Sequence, residues 1–430
     1  MAIADKLNEL ITQRNNLANN LNTMGVEASQ DEKLSILVPK VLDIKTSPQK
    51  GLVINEVDDD GYPTDVSVVG MISIPDYYFY YAAYDNSILS RVENRFHLNE
   101  GLISIGSYAL FSCTNLALTE LPDSITSIGS YAFQNCSLLA LTKLPNSLQE
   151  IKYSAFSNCT NLALTELPDS ITSIEGNAFN NCTNLPLTKL SSGLTSIGNY
   201  TFNNCTNLAL SELPDSITSI GSNAFYYCNS LALTELPSGL TTIGSYAFYH
   251  CGELALTKLP NSIISLESYT FADCTNLALT ELPSGLITIS GYVFQNCTNL
   301  ALTELPSGVS TIATYAFRNC PKLALTELSG KITSIEAGIF YDCKGITELT
   351  CYGKVTSIKA LAFNGSAIKK LVLPNITSVP SLANKSAFVN TPIEVKIGYI
   401  YVPDNLVSSM KSASNWSTYA SQIKGVSELW

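Results

Sequence analysis

The stretch Leu121-Pro-Asp-Ser-Ile-Thr-Ser-Ile-Gly-Ser-Tyr-Ala-Phe-Gln-Asn-Cys-Ser-Leu-Leu-Ala-Leu-Thr-Lys143 decides how this chain folds. Its Cys136 has counterparts at 113, 159, 182, 205, 228, 251, 274, 297, 320 and 343, and every interval is 23 residues. A fixed period of this length marks an array of stacked units and takes precedence over any motif search. More than cysteine carries the period. Phe133 stands three before its Cys and recurs at 156, 179, 202, 225, 248, 271, 294, 317 and 340. Ile125 and Ile128 lie eleven and eight before Cys136, while Leu139, Leu141 and Leu144 follow at three, five and eight. Such positions cannot all face inward on one helix or one flat strand. They predict a coil with two short extended stretches and a turn. Stacking then sets each Leu, Ile, Phe and Cys over its counterpart. Pro122 and Gly129 punctuate the turns.

Outward from this unit the pattern weakens without stopping. Phe363 falls 23 after Phe340, with Ser366 in the cysteine slot. Cys351, eight after Cys343, occupies an inward position held elsewhere by Leu. Ile74 to Phe79 repeats the spacing of Ile128 to Phe133, so 71–82 reads as a degenerate first coil with Ala82 in the cysteine slot. The tyrosines at 77, 78, 80 and 81 read as packing of that coil. Residues 51–74 read as a β-hairpin whose acidic turn, Asp58-Asp-Asp-Gly61, lacks EF-hand ligand spacing and is read as solvated. At the other end, Ile400-Tyr-Val-Pro-Asp404 predicts a last strand and then a helix with Asp404 as cap. Trp416 and Tyr419 supply bulk for a terminal cover. At the start, Ile3, Leu7, Leu10, Arg14, Leu17, Leu21 and Met24 step by 4, 3, 4, 3, 4, 3, a heptad seam suited to an oligomer. Packing of that helix on the chain's own body is the alternative. The domain plan is therefore a coiled-coil helix over 1–25, a short helix and linker over 26–50, and a hairpin with capping coil over 51–100. The repeat array covers 101–392 and the C-terminal cap 393–430.

The recurring I-G-x-x-A-F-x-x-C-x-x-L core resembles the bacterial leucine-rich repeats called BspA-like or Treponema-type. The resemblance covers about residues 70–395. It implies a mainly β solenoid of leucine-rich units, flanked here by an N-terminal α-helical coiled coil and a C-terminal capping segment. One departure is Leu-Ala-Leu-Thr-Glu-Leu-Pro after the cysteine, where many members read Leu-x-x-Ile-x-Ile-Pro. Ile346-Thr-Glu-Leu349-Thr-Cys351 is closer to that form. A second resemblance covers about 65 residues. Leu7-Asn-Glu-Leu10, Arg14-Asn-Asn-Leu-Ala-Asn-Asn-Leu21, Leu37-Val-Pro-Lys-Val-Leu42 and Asn55-Glu-Val-Asp-Asp-Asp-Gly-Tyr-Pro63 look like the N-terminal segment of phage tail-associated proteins. The Tyr-Val-Pro-Asp, Asn-Trp and Tyr ending is similar to that of bacterial and phage repeat proteins.

Composition narrows function. The 430 residues carry a formal charge of −12, and only 14% are charged while 46% are hydrophobic. An acidic chain with pI near 4.7 gives no electrostatic footprint for nucleic acid or for an anionic membrane. No apolar run is long enough to span a bilayer, and Met1 to Lys6 shows no secretory signal pattern. Two histidines, His97 and His250, leave no His-rich metal site. There is no Gly-rich phosphate loop, Cys-x-x-Cys pair or His-Glu-x-x-His. Cysteines one per coil form a file, not a tetrahedral cluster. They read as free, buried, apolar groups, and Asn-Cys-Thr sequons read as by-products of the repeat. No catalytic residue, metal or cofactor is assigned.

Two surface patterns remain. Seven after each cysteine stands a column of Glu120, Lys143, Glu166, Lys189, Glu212, Glu235, Lys258, Glu281, Glu304 and Glu327, read as a solvated ladder or an acidic recognition stripe. More informative is where units break their own consensus. Two adjacent units carry Tyr226-Tyr227 and Tyr249-His250 where others carry Asn or small polar residues, with Tyr246 on the same edge. Aromatic side chains enrich binding surfaces, so these five are the candidate binding residues; drift on a tolerant edge is the bland alternative. The phage resemblance implies a trimeric, tail-associated receptor-binding protein on the virion. It would join other tail proteins through its N-terminus and bind a bacterial surface component or glycan without chemistry. The repeat resemblance alone implies a bacterial surface or secreted adhesin. A tail-spike depolymerase is the third reading.

Overall fold

The computed structural model describes residues 51–59, 63–80 and 96–429. The expected helices of 1–50 lie outside these residues. The chain divides into two compact units, Met1–Leu187 and Thr188–Trp430.

In the first unit an antiparallel hairpin joins Gly51–Val57 to Pro63–Val69. Leu52, Ile54, Val66 and Val68 are buried, and the second strand also pairs in parallel with Phe96–His97. The hairpin read at 51–74 is therefore present, although most of its acidic turn lies outside the described residues. Coils follow, each marked by a two-residue strand. These strands are Ser73–Ile74, Ser104–Ile105, Ser127–Ile128, Glu150–Ile151 and Ser173–Ile174. The first pairs with the second in register, Ile74 beside Ile105, which establishes 71–80 as the first coil. The second unit holds nine such strands from Ser196–Ile197 to Ser381–Leu382, giving a solenoid of about 14 turns among the described residues.

The strand is short because the residue after the inward Ile or Leu, often Gly, turns the chain. At Gly129 the coils touch backbone to backbone. A Cβ there would lie 2.4 Å from the Ser107 nitrogen. The inward residues read from the period are buried. Ile125, Ile128, Phe133, Cys136, Leu139 and Leu141 are all at 0% exposure. Phenylalanine rings form a stacked file, with Phe133 5.4 Å from Phe156 in the first unit and Phe248 5.5 Å from Phe271 in the second.

The second extended stretch differs from expectation. It is a strand only late in the second unit, at Glu327–Leu328, Glu348–Cys351, Lys370–Val372, Tyr399–Val402 and Ile423–Gly425. The reason lies in which positions face inward. In the common unit Leu139, Leu141 and Leu144 are buried while Thr142 and Lys143 are exposed, so alternation fails between five and eight after the cysteine. A strand needs a period of two. In the late unit Leu349 and Cys351 are buried on either side of half-buried Thr350, and alternation holds. The proline that follows Leu144 also lacks the N–H that Tyr352 donates to Leu328 O at its own position.

All twelve cysteines are buried, and none is joined in a disulfide. They are not merely apolar filler. Along the file the thiols of successive coils donate to the carbonyl 26 residues earlier, Cys159 to Phe133 O at 3.1 Å and Cys274 to Phe248 O at 3.0 Å. Ser366 breaks this scheme. It sits in the cysteine slot, 2% exposed, and its Oγ has no hydrogen-bond partner. The C–O bond is shorter than C–S and does not reach across. Ser366→Cys should therefore stabilise the protein by about 1–2 kcal/mol, since an unsatisfied buried hydroxyl costs that much. The check is the urea midpoint, which should rise with an unchanged slope.

At the C-terminal end the structure departs from expectation in one detail. Trp416 and Tyr419 are buried against Phe388, the last ring of the phenylalanine file. The Trp416 indole N–H donates to Pro380 O at 2.7 Å and the Tyr419 hydroxyl to Lys385 O at 2.9 Å. Asp404, expected to cap the helix Val407–Ser412, does not do so. Its carboxylate accepts from the Ser427 hydroxyl at 2.8 Å and ties the end of the chain to the last coil.

Candidate functional site: an aromatic edge on the second unit

Two positions in each coil adopt the left-handed conformation, five and one before the cysteine. In the coil of Cys251 they are Tyr246 at φ 59° and His250 at φ 60°. L-residues other than Asn and Asp enter this region at a cost of roughly 1–2 kcal/mol. In most coils Asn fills the second position and repays that cost twice. It tolerates the conformation, and its amide bonds to the next coil. In the first unit Asn158 donates to Asn135 at 2.8 Å and Asn181 to Asn158 at 2.8 Å. In the second, Asn319 donates to Asn296 at 3.0 Å and Asn296 to Asp273 at 2.6 Å. This asparagine ladder was not foreseen.

Tyr227 and His250 replace the ladder in two adjacent coils. Their rings stack at 4.4 Å with planes 10° apart. His250 Nδ1 lies 3.3 Å from Asn229 Oδ1. Beside them Tyr226 stacks on Tyr249 at 5.0 Å, and Tyr246 lies 5.7 Å from Tyr249. The structure thus brings all five candidate residues together, each half-buried. Burial pushes the Tyr249 hydroxyl up to about 12, with the Asp273 charge and a hydrogen bond to Asp273 adding to it. The seam residues Ile3 to Met24 lie outside the described residues.

The patch is larger than the sequence reading had it. Tyr246 heads a column that continues through Tyr269, Tyr292 and Tyr315 at centroid spacings of 4.6, 4.5 and 5.1 Å. Arg318, exposed, lies over Tyr315 and Tyr341 at 5.7 and 5.3 Å. The signal was present, since tyrosine recurs five before the cysteine. Those residues agree with the repeat, so they do not stand out as departures from it. A shorter stack, Tyr77, Tyr108 and Tyr131, stands in the first unit.

The charged column is solvated. Lys143 pairs with Glu120 at 3.4 Å, with both side chains more than half exposed, worth at most about 1 kcal/mol. In the second unit Glu212, Glu235, Lys258, Asp215 and three prolines line a groove of about 570 Å³. Among the described residues no His, Cys, Asp and Glu side chains cluster in a way that would hold a metal ion. No described helix is long and apolar enough to cross a membrane.

A family model for the BspA type leucine rich repeat region matches residues 72–209, 155–278, 195–324 and 265–394. The chain belongs to the BspA-type leucine-rich repeat family. Several solved structures are similar to this BspA-type chain. A leucine-rich repeat protein from Bacteroides ovatus aligns with a TM-score of 0.50 and 18% identity, over 87% of this chain and 98% of that one. A leucine rich cell surface protein from Faecalibacterium prausnitzii aligns with a TM-score of 0.46 and 24% identity, over 86% and 95%. The pneumococcal vaccine antigen PcpA aligns with a TM-score of 0.42 and 18% identity, over 87% and 81%. No curated protein matches the chain in sequence.

Within the BspA-type frame, the aromatic edge costs stability. Replacing Tyr227→Asn together with His250→Asn should relieve two left-handed aromatic residues and extend the amide ladder. The loss of one ring stack, about 1 kcal/mol, offsets part of this. The double variant is expected to be about 1–2 kcal/mol more stable, measured by urea unfolding. A less stable variant would show that the stack, not the ladder, is the better filling.

Proposed function

We propose that this chain is an adhesin-like recognition protein that binds a bacterial surface component through the aromatic edge of its second unit, without catalysing a reaction. The observation that carries the reading is the concentration of aromatic rings where the repeat breaks its own asparagine ladder. Natural proteins accept local strain at sites used for binding, and five rings on one edge supply rigid contact area. Display on a bacterial cell surface is preferred to a phage tail, as many members of the family are surface adhesins. The family match spans 72–394 and leaves aside the segment that resembles phage tail proteins.

Labelled protein should bind intact cells or isolated cell walls from a panel of gut bacteria. Tyr226→Ala with Tyr249→Ala should weaken that binding at least tenfold while leaving the far-ultraviolet spectrum unchanged. Binding equal to wild type would remove the aromatic edge as the site. Trimerisation through Ile3, Leu7, Leu10, Arg14, Leu17, Leu21 and Met24 belongs to the same proposal, because several copies raise effective concentration. Light scattering should give a trimer mass that falls to the monomer when 1–25 are deleted.

A further inference from the structure

We infer that the column Tyr246, Tyr269, Tyr292 and Tyr315 is a track for an extended, uncharged β-linked polysaccharide, laid along the coils with about one sugar per coil. This rests on the recognition reading above and names its ligand class. Sugars commonly meet an aromatic residue on its face. Here Tyr269 has Tyr246 on one side at 4.6 Å and Tyr292 on the other at 4.5 Å, with planes 8° and 4° apart. Both faces of Tyr269 are taken, and Tyr292 is likewise held between Tyr269 and Tyr315. The column therefore meets solvent with ring edges and phenol oxygens.

A phenol is both donor and acceptor, and the Tyr269 and Tyr292 rings are stacked at 4.5 Å, which sets their hydroxyls side by side. The result is a file of hydrogen-bonding groups repeating at the spacing of parallel strands, about 4.8 Å. A single small sugar engages one or two of them. A polymer whose hydroxyls recur at a similar interval engages all. An extended β-linked chain of pyranoses advances by about one ring length per sugar, which is close to one coil.

The track has defined ends. Before Tyr246 the same position is Asn223, and after Tyr315 it is Gly338. The Tyr315 ring lies on the Gly338 backbone, where a Cβ would come within 2.0 Å of it. Arg318, held between Tyr315 and Tyr341, adds guanidinium donors at that end. Charge selects against polyanions. Asp273 lies beside Tyr249 next to the column, and the chain carries −12 overall.

The test is titration calorimetry of the full chain with β-1,4-linked N-acetylglucosamine and glucose oligomers of increasing length, with a polyuronate as control. Affinity for at least one series should rise steeply with length and level off near four sugars, while the polyuronate binds at least tenfold more weakly. Tyr269→Phe with Tyr292→Phe keeps the stack and removes two hydroxyls. It should weaken the long oligomer about tenfold or more and leave the dimer nearly unchanged. Length-independent affinity, Phe variants that bind like wild type, or no binding by either series would each overturn the track. If cell walls are still bound through Tyr226 and Tyr249 in that event, the recognition reading stands and only the ligand class falls.

Discussion

Raising the pH through 10 is expected to unfold the protein in one steep transition. The cause is the file of buried thiols. Burial pushes Cys113, Cys343 and Cys351 from an ordinary 9.0 up to about 12, and it raises Cys136, Cys159, Cys228 and Cys274 as well. A raised thiol favours the neutral, folded state. Its contribution is fully present below the unfolded value of 9.0 and is lost as pH climbs toward the folded value. Each such group removes about 1.4 kcal/mol of stability per pH unit in that window. With about ten of them, one unit removes on the order of 10 kcal/mol, comparable to the whole stability of an ordinary domain. Circular dichroism against pH should show the collapse between about pH 9 and 11. Thiolate absorbance should appear in the same step. Thiolate absorbance that rises smoothly while the spectrum stays native would show that the thiols ionise in place.

Phe271→Ala should be strongly destabilising, as at any inner position of the phenylalanine file. The side chain is fully buried, with Phe248 at 5.5 Å and Phe294 at 6.0 Å on its two faces. Truncation removes the transfer energy of the ring and leaves a cavity that the coils above and below cannot close, because their own register is fixed by backbone hydrogen bonds. The expected loss is about 3–5 kcal/mol. Ser307→Ala, at an exposed turn position, should stay within about 0.5 kcal/mol. Coils contact only their neighbours, so hydrogen exchange should accelerate most in 248–294 and fade with distance. A uniform acceleration over the second unit would mean that the coils unfold as one.

What the sequence revealed follows the physics of repetition. Cys, Phe, Ile and Leu at fixed offsets were legible because inward positions admit few residue types. Cys351 was recognised on that basis and is fully buried. The second strand was misjudged because Leu139, Leu141 and Leu144 look strand-like as a set, and only their uneven spacing shows where alternation fails. The capping role of Asp404 failed because a tertiary partner, Ser427, competes for the same carboxylate. At the site, Tyr226, Tyr227, Tyr246, Tyr249 and His250 were found as exceptions to the pattern. Tyr269, Tyr292 and Tyr315 were overlooked as instances of it. The asparagine ladder was hidden for a different reason, since a left-handed backbone position leaves little trace in hydropathy.

The hydrogen bonds of each coil run to the coil beside it, with Asn158 to Asn135 and Cys159 to Phe133 separated by one period or little more. Such a molecule has a natural currency of inheritance. In a gene built from near-identical segments, unequal recombination adds or removes one whole segment at a time, and the protein product meets the same neighbour on either side of the scar. Within the second unit, an in-frame loss of 275–297 would bring Cys274 next to the turn that began at Thr298, a junction already used throughout the chain. The late coils also tolerate a change of one residue, since Ser357 pairs with Ser381 and Leu349 with Leu371, one more and one fewer than 23. A change of coil number by whole segments would change with it the length of any surface that repeats along the coils.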